Sequence, residues 1–316
     1  MSFSANKATF GTLIKRTLVK RIRFRGRSLV IGIPLWWLIV FFLIPFVVVA
    51  KISFSEAIIA RPPYSSLLEW KEGGFLLLKL HFSNYLYLLE DSLYISAYWS
   101  SIKVAFFSTL IALLVAYPMA YYIARSTERR RNILLMLIIL PFWTSFLLRV
   151  YAWIGILKTH GIINNILMSL GITSEPLVMM QTNFAVYVGI VYTYLPFMIL
   201  PLYTNLVKLD NSLLEASADL GANPLTTFFK ITLPLSVPGI IAGSMLVFIP
   251  VVGEFVIPAL LGGPDTLMIG KVLWDEFFSN RDWPVASAVA IVMLVLLVIP
   301  VMLLRNAQNA SRAAST

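Results

Sequence analysis

Long apolar runs separated by short polar clusters set the plan of the chain. Six such runs occupy 29–53, 96–123, 133–157, 183–206, 238–260 and 285–304. Each has about the 20 residues that an α-helix needs to cross the hydrocarbon of a bilayer. The pattern predicts an all-α membrane protein with six transmembrane helices. Between the fourth and fifth runs lies 207–237, the longest polar-leaning stretch in the second half of the chain. There, Glu215 to Leu220 are helix formers apart from Ser217 and Asp219. Gly221 is expected to stop that helix, because glycine takes the left-handed conformation at little cost. Asn223-Pro224 reads as a new start, with Asn as N-cap and Pro at the first helical position. Leu225, Phe228 and Phe229 then fall at i, i+3, i+4, giving the second helix one apolar face. Pro234 and Pro238 are expected to end it.

Composition agrees with the pattern. The chain has 316 residues, 59% hydrophobic and 13% charged, which is the profile of a polytopic membrane protein. It has no cysteine, so disulfides, thiolate metal sites and cysteine nucleophiles are excluded, and its two histidines are too few for a histidine-rich metal site. The net charge of +10 raises the question of nucleic acid, but the placement of the charge answers it differently. Residues 1–28 hold eight Lys and Arg and no acid, directly before the first apolar run. That run is too long for a signal-peptide core, so an uncleaved anchor with a cytoplasmic basic tail on anionic headgroups is expected. Threading from a cytoplasmic N-terminus puts 1–28, 124–132, 207–237 and 305–316 inside. These segments hold sixteen Lys and Arg, against six in the outer loops 54–95, 158–182 and 261–284. This is the asymmetry of an inner membrane protein with both termini in the cytoplasm. The outer loops hold ten acids, so the outer face is net negative.

The first outer loop contains Arg61-Pro62-Pro63, then Gly73-Gly74 and the apolar run Phe75 to Leu80, too short to span and expected as an interfacial helix. Pro118, Pro141, Pro196, Pro201, Pro250, Pro258 and Pro300 sit in or near the spans, where each removes a backbone donor. Two ionisable residues lie deep in spans, Arg149 and Glu254. A charge in hydrocarbon needs a partner or a water path. Glu254 is thus either a ligand for a cationic substrate or half of a structural ion pair with Arg149. Trp143, Tyr151, Trp153, Tyr192 and Tyr194 could offer ring faces to an ammonium group, or serve only in packing.

The stretch Glu215, Ala216, Ser217, Gly221, Ile231, Leu233 and Pro234 resembles the cytoplasmic coupling loop of ABC importer permeases, with Ser217 where alanine is usual. The resemblance implies the type I ABC importer permease fold. It covers a five-helix core over 98–304, to which 29–97 adds a leading helix and outer loop, with tails at 1–28 and 305–316. In that family the loop docks on an ATPase subunit, so Glu215, Ala216, Asp219, Gly221, Leu225, Phe228, Phe229, Ile231, Leu233 and Pro234 become candidate coupling residues. Gly253-Glu254-Phe255-Val256-Ile257-Pro258 through Gly263-Pro264, with Leu140-Pro141-Phe142-Trp143 through Trp153, looks like the polyamine branch. Within it the choice is putrescine or spermidine, and overall similarity, including the long basic N-terminus, is closest to the putrescine permeases. Glu254, Arg149, Trp143, Tyr151, Trp153 and Tyr194 are then candidates for the substrate path. The implied partners are a homologous second permease subunit, two cytoplasmic ATPases that hold the ATP, a periplasmic polyamine-binding protein and membrane lipid. The chain itself lacks a phosphate-binding loop: Gly263 to Gly270-Lys271 has the wrong spacing, and Val272 stands where a hydroxyl is needed. No catalytic motif appears in a plausible setting, so a non-catalytic subunit without its own cofactor or metal is expected. The alternatives are a permease of the same fold for another small solute such as an anion, bound by Arg149, and a passive channel.

Overall fold

The computed structural model describes residues 28–71 and 75–314. The basic tail up to Arg27 and the Gly73-Gly74 pair lie outside the described residues. The chain divides into two compact units, Met1–His81 and Phe82–Thr316.

In the first unit, helix α1 (Ser28–Ser53) is the leading apolar span. It is interrupted by a π turn at Ile39–Leu43, one turn ahead of Pro45. Strands β1 (Leu68–Lys71) and β2 (Phe75–Leu78) then pair antiparallel, Leu68 opposite Leu78 and Lys71 opposite Phe75. The apolar run from Phe75 is therefore a strand and not the expected interfacial helix. A four-residue apolar run carries no helical period, and its backbone groups are satisfied by a neighbouring strand instead. The return of the chain is closed by backbone bonds from Lys79 N–H to Leu67 O and from His81 N–H to Phe54 O, 3.0 and 2.9 Å.

The second unit is built from helices, with no strand among its described residues. Its elements are α2 (Ser83–Glu90), α3 (Ser92–Arg125), α4 (Glu128–Ile139), α5 (Phe146–Leu157), α6 (Ile162–Ser169), α7 (Asn183–Leu206), α8 (Asn211–Asp219), α9 (Pro224–Val252), α10 (Val256–Leu261), α11 (Ile269–Trp274) and α12 (Trp283–Ala314). Helices α3, α7 and α9 pack against one another and form the core. On α3, Ala97, Ser101, Ala105, Ser108, Ala112, Ala116, Ala120 and Ala124 recur every three or four residues and are all buried. Small residues on one face let helix backbones approach closely, which is the main source of helix association in lipid. The contact of α7 with α9 uses the same device. A Cβ added at Gly239 would lie 2.7 Å from Asn205 Cβ, and one at Gly243 2.7 Å from the Met198 sulfur. Hydroxyls tie α11 and α12 to α3: Ser101 Oγ accepts from Ile269 N–H of α11 at 2.8 Å, and Tyr98 O–H donates to Val289 O of α12 at 2.7 Å.

Among the described residues, five helices are long and apolar enough to cross a membrane: Ser28–Ser53, Ser92–Arg125, Phe146–Ser169, Asn183–Leu206 and Pro224–Val252. A shorter apolar helix covers Trp283–Ile299. The helical class and the approximate count of six hold, but two spans are divided differently from the sequence pattern. The run 133–157 is broken by a 3-10 turn at Leu140–Trp143 and extended backbone at Thr144. Pro141 lacks the N–H a continuous helix would use there, and the Thr144 hydroxyl donates to Pro141 O at 2.7 Å. The run 238–260 begins earlier and stops earlier. Helix α9 starts at Pro224, passes Pro234 and Pro238 without ending, and stops at Val252. A π turn at Phe228–Thr232, closed by Leu233 N–H on Phe228 O, widens the ladder just before Pro234, so its missing donor does not end the helix.

Candidate coupling loop and membrane carboxylate

The segment from Asp210 to Thr232 is built from local rules. Asp210 caps α8, its Oδ1 accepting from Ser212 N–H at 3.0 Å. That backbone donor holds the Asp210 carboxyl below the usual carboxylate range. At the other end Gly221 has φ +78°, the left-handed region. Its N–H reaches Ala218 O at 2.8 Å, and Ala222 N–H reaches Ser217 O at 3.0 Å. These two bonds make a Schellman turn, which needs a glycine-like backbone at this position. Asn223 then caps α9, its Oδ1 accepting from Thr226 N–H at 2.8 Å, with Pro224 in the first turn.

Side-chain directions divide the expected apolar face. Phe228 turns inward, edge-on to Tyr117 and Tyr121 of α3 with ring centroids 5.5 and 6.5 Å away. Leu225 and Phe229, one turn apart, stay 70% and 61% exposed, and Leu220 beside them is 88% exposed. Glu215, Ala216, Asp219 and Pro234 are exposed, while Ile231 and Leu233 are half-buried. Among the described residues no ion pair anchors Glu215 or Asp219. The anchor is Arg125 at the end of α3, whose Nη1 donates to Asn211 Oδ1 at the start of α8. That contact, Leu220 and the bond of Ser217 to Thr227 were missed by sequence reasoning. The bonds join residues 86 and 10 positions apart, for which the sequence carries no periodic signal.

Glu254 lies at the break between α9 and α10, not within a continuous helix. Its side chain is buried and its Oε2 accepts from Tyr194 O–H at 2.6 Å. Its Oε1 accepts from Val256 and Ile257 N–H at 3.0 and 3.4 Å, capping α10. Phe255 stacks on Trp274 at 4.2 Å. Arg149 is not paired with Glu254. Its guanidinium lies 5.3 Å from the Phe142 ring centre and 5.9 Å from that of Phe146. Its Nε is buried without a hydrogen-bond partner, on a mostly apolar cavity of about 360 Å³ lined also by Met119, Tyr122, Pro141, Tyr192 and Pro196. Trp153 packs edge-on to Tyr192 at 5.4 Å, whereas Trp143 and Tyr151 are exposed. Of the candidate path residues, the structure thus joins only Tyr194 to Glu254. Among the described residues no group of three or more His, Asp or Glu side chains is placed to hold a metal ion.

Residues 110–312 match the family of binding-protein-dependent transport system inner membrane components. The chain belongs to this family. It is 40% identical over 279 residues to a spermidine/putrescine transport system permease protein PotB of Haemophilus influenzae, covering 88% of this chain and 93% of the relative. It is 39% identical over 261 residues to PotB of Escherichia coli, covering 83% and 90% of the two chains. The bacterial alginate ABC transporter, solved with a periplasmic protein carrying an alginate pentasaccharide, shares the fold at a TM-score of 0.67. The match covers 91% of this chain and 94% of that one, at 16% identity. The resemblance read from the 215–234 stretch holds at the level of family and fold. The protein is a multi-pass inner membrane permease subunit, a transport component and not a catalytic one.

Proposed function

We propose that this permease is half of the translocation path of an ATP-driven polyamine importer. A periplasmic binding protein delivers the polyamine to the outer loops 158–182 and 261–284. A homologous second permease completes the path, and two cytoplasmic ATPases bind and hydrolyse the ATP. Both termini and 207–237 lie in the cytoplasm, where Leu220, Leu225 and Phe229 offer the ATPase an apolar face.

The observation that carries the substrate class is Glu254. It is a buried carboxylate at a helix break within the membrane part of the chain, and among the described residues it has no cationic partner. An intramembrane acid without one is a functional site by default. A dication or polycation supplies the missing charge, and the net-negative outer loops concentrate it. The relatives named for spermidine and putrescine support the same class. Putrescine is put ahead of spermidine on overall resemblance, including the long basic N-terminus.

The test is ATP-dependent uptake of labelled putrescine by the complete transporter in proteoliposomes, with spermidine and an inorganic anion as competitors. Competition by spermidine alone supports the reading, with relative potency ranking the two polyamines. Competition by the anion would favour a second reading, in which the unpartnered Arg149 Nε binds the solute. Flux without ATP would favour a passive channel.

A further inference from the structure

We propose that Ser217 and Thr227 are positioning residues that weld α8 to the start of α9, so that the loop moves as one rigid unit and does not flex at Gly221. The proposal rests on the coupling role given to this loop above. Gly221 stands between two short helices, and a glycine there invites a hinge. Two bonds cross it instead. One is the Ala222 N–H to Ser217 O bond of the Schellman turn. The other is between side chains: Ser217 Oγ and Thr227 Oγ1 are 2.7 Å apart. Ser217 is 6% exposed, so water competes little for this bond. Thr227 Oγ1 donates its one proton to Asn223 O at 3.3 Å, so Ser217 Oγ is the donor in the bond between them. Alanine, the usual residue at this place in the loop pattern, could not make the bond. The chain therefore adds a hydroxyl to a turn that its backbone already closes.

A weld transmits displacement where a hinge absorbs it. Its loss should lower transport per ATP without changing substrate recognition. Ser217→Ala, Thr227→Val and the double variant are made in the complete transporter. Ser217→Ala should reduce substrate moved per ATP hydrolysed by roughly two- to fivefold for one neutral hydrogen bond, and Thr227→Val by at least as much, because it also removes the bond to Asn223 O. The double variant should lose no more than Thr227→Val alone, because both substitutions remove the one shared bond. The KM for putrescine and the amount of assembled complex should not change, which separates positioning from a merely structural role.

The chain has no cysteine, so Ser217→Cys with Thr227→Cys gives a unique pair of thiols where the two hydroxyl oxygens now lie 2.7 Å apart. Oxidation should restore the coupling ratio lost in the reduced pair. A crosslinked loop that halts uptake while the ATPases still co-purify would overturn the weld, as would additive losses in the two single variants. Failure of the unmodified complex to retain its ATPases would overturn the coupling role itself, and the proposal with it.

Discussion

Gly221 allows a quantitative test because its cost can be assigned to backbone alone. Nothing lies within 4 Å of a Cβ built at this position, so a larger residue meets no neighbour at its Cβ. What it meets is φ +78°. An L-residue with a Cβ pays roughly 1–2 kcal/mol in the left-handed region. Gly221→Ala should therefore lower the ratio of closed to open turn by about 5- to 30-fold. Asparagine and aspartate visit this region routinely, so Gly221→Asn should lose little, whereas Gly221→Val, β-branched, should lose most. The assay is co-purification of the ATPase subunits at matched membrane levels, with ATP-driven uptake beside it. The expected order is Gly, Asn, Ala, Val in both readouts. A valine variant that behaves as the parent would show that the left-handed turn is dispensable. An asparagine variant as damaged as the valine one would show that the damage does not come from φ.

Three further outcomes are expected. Tyr194→Phe removes the 2.6 Å donor to Glu254, a bond to a charged group worth about 1.5–3 kcal/mol, and should lower kcat/KM for putrescine uptake at least tenfold; unchanged kinetics would take the pair out of the path. Gly243→Ala drives a methyl against Met198 and its carbonyl and should destabilise the α7–α9 contact by about 1–3 kcal/mol, read as a lower Tm in detergent; an unaltered Tm would contradict the close approach. Asp282 has its pKa raised above the usual 3.8, first by burial and then by Glu276, against the opposing bond from Val285 N–H. An acid raised on folding penalises the charged form, so stability should fall as pH climbs from 3.8 through the raised pKa and stay lower above it. Asp282→Asn, which retains the cap, should flatten the Tm–pH profile over that range; an equal slope in both proteins would refute the assignment.

What the sequence discloses here is local. The Gly221 stop and the Asn223-Pro224 start were legible because each depends on a few adjacent residues and a known backbone preference. The helical class was legible because the apolar runs are long. The partners of Glu254 were not, since Tyr194 stands 60 positions away on another helix. Nor was the inward turn of Phe228, which follows from Tyr117 and Tyr121 being beside it. The breaks at Leu140–Trp143 and after Val252 lie inside apolar runs, where hydropathy is blind to backbone direction. Pro141 and Pro234 show the difficulty directly: the first sits in a break, and the second is passed through by way of a π turn. The run from Phe75 failed for a different reason, because a short apolar segment is decided by the partner it finds.

On the coupling role proposed above, the exposed face of the 211–232 segment docks an ATPase. Single cysteines at Leu225 and Phe229 in this cysteine-free chain, each carrying a short photo-crosslinker, test it in the assembled transporter in native membranes. A crosslink to the ATPase subunit is expected from both positions, and none from a control cysteine at the exposed Trp143. Labelling of Leu225 from the periplasmic side, or crosslinks to lipid alone, would contradict it.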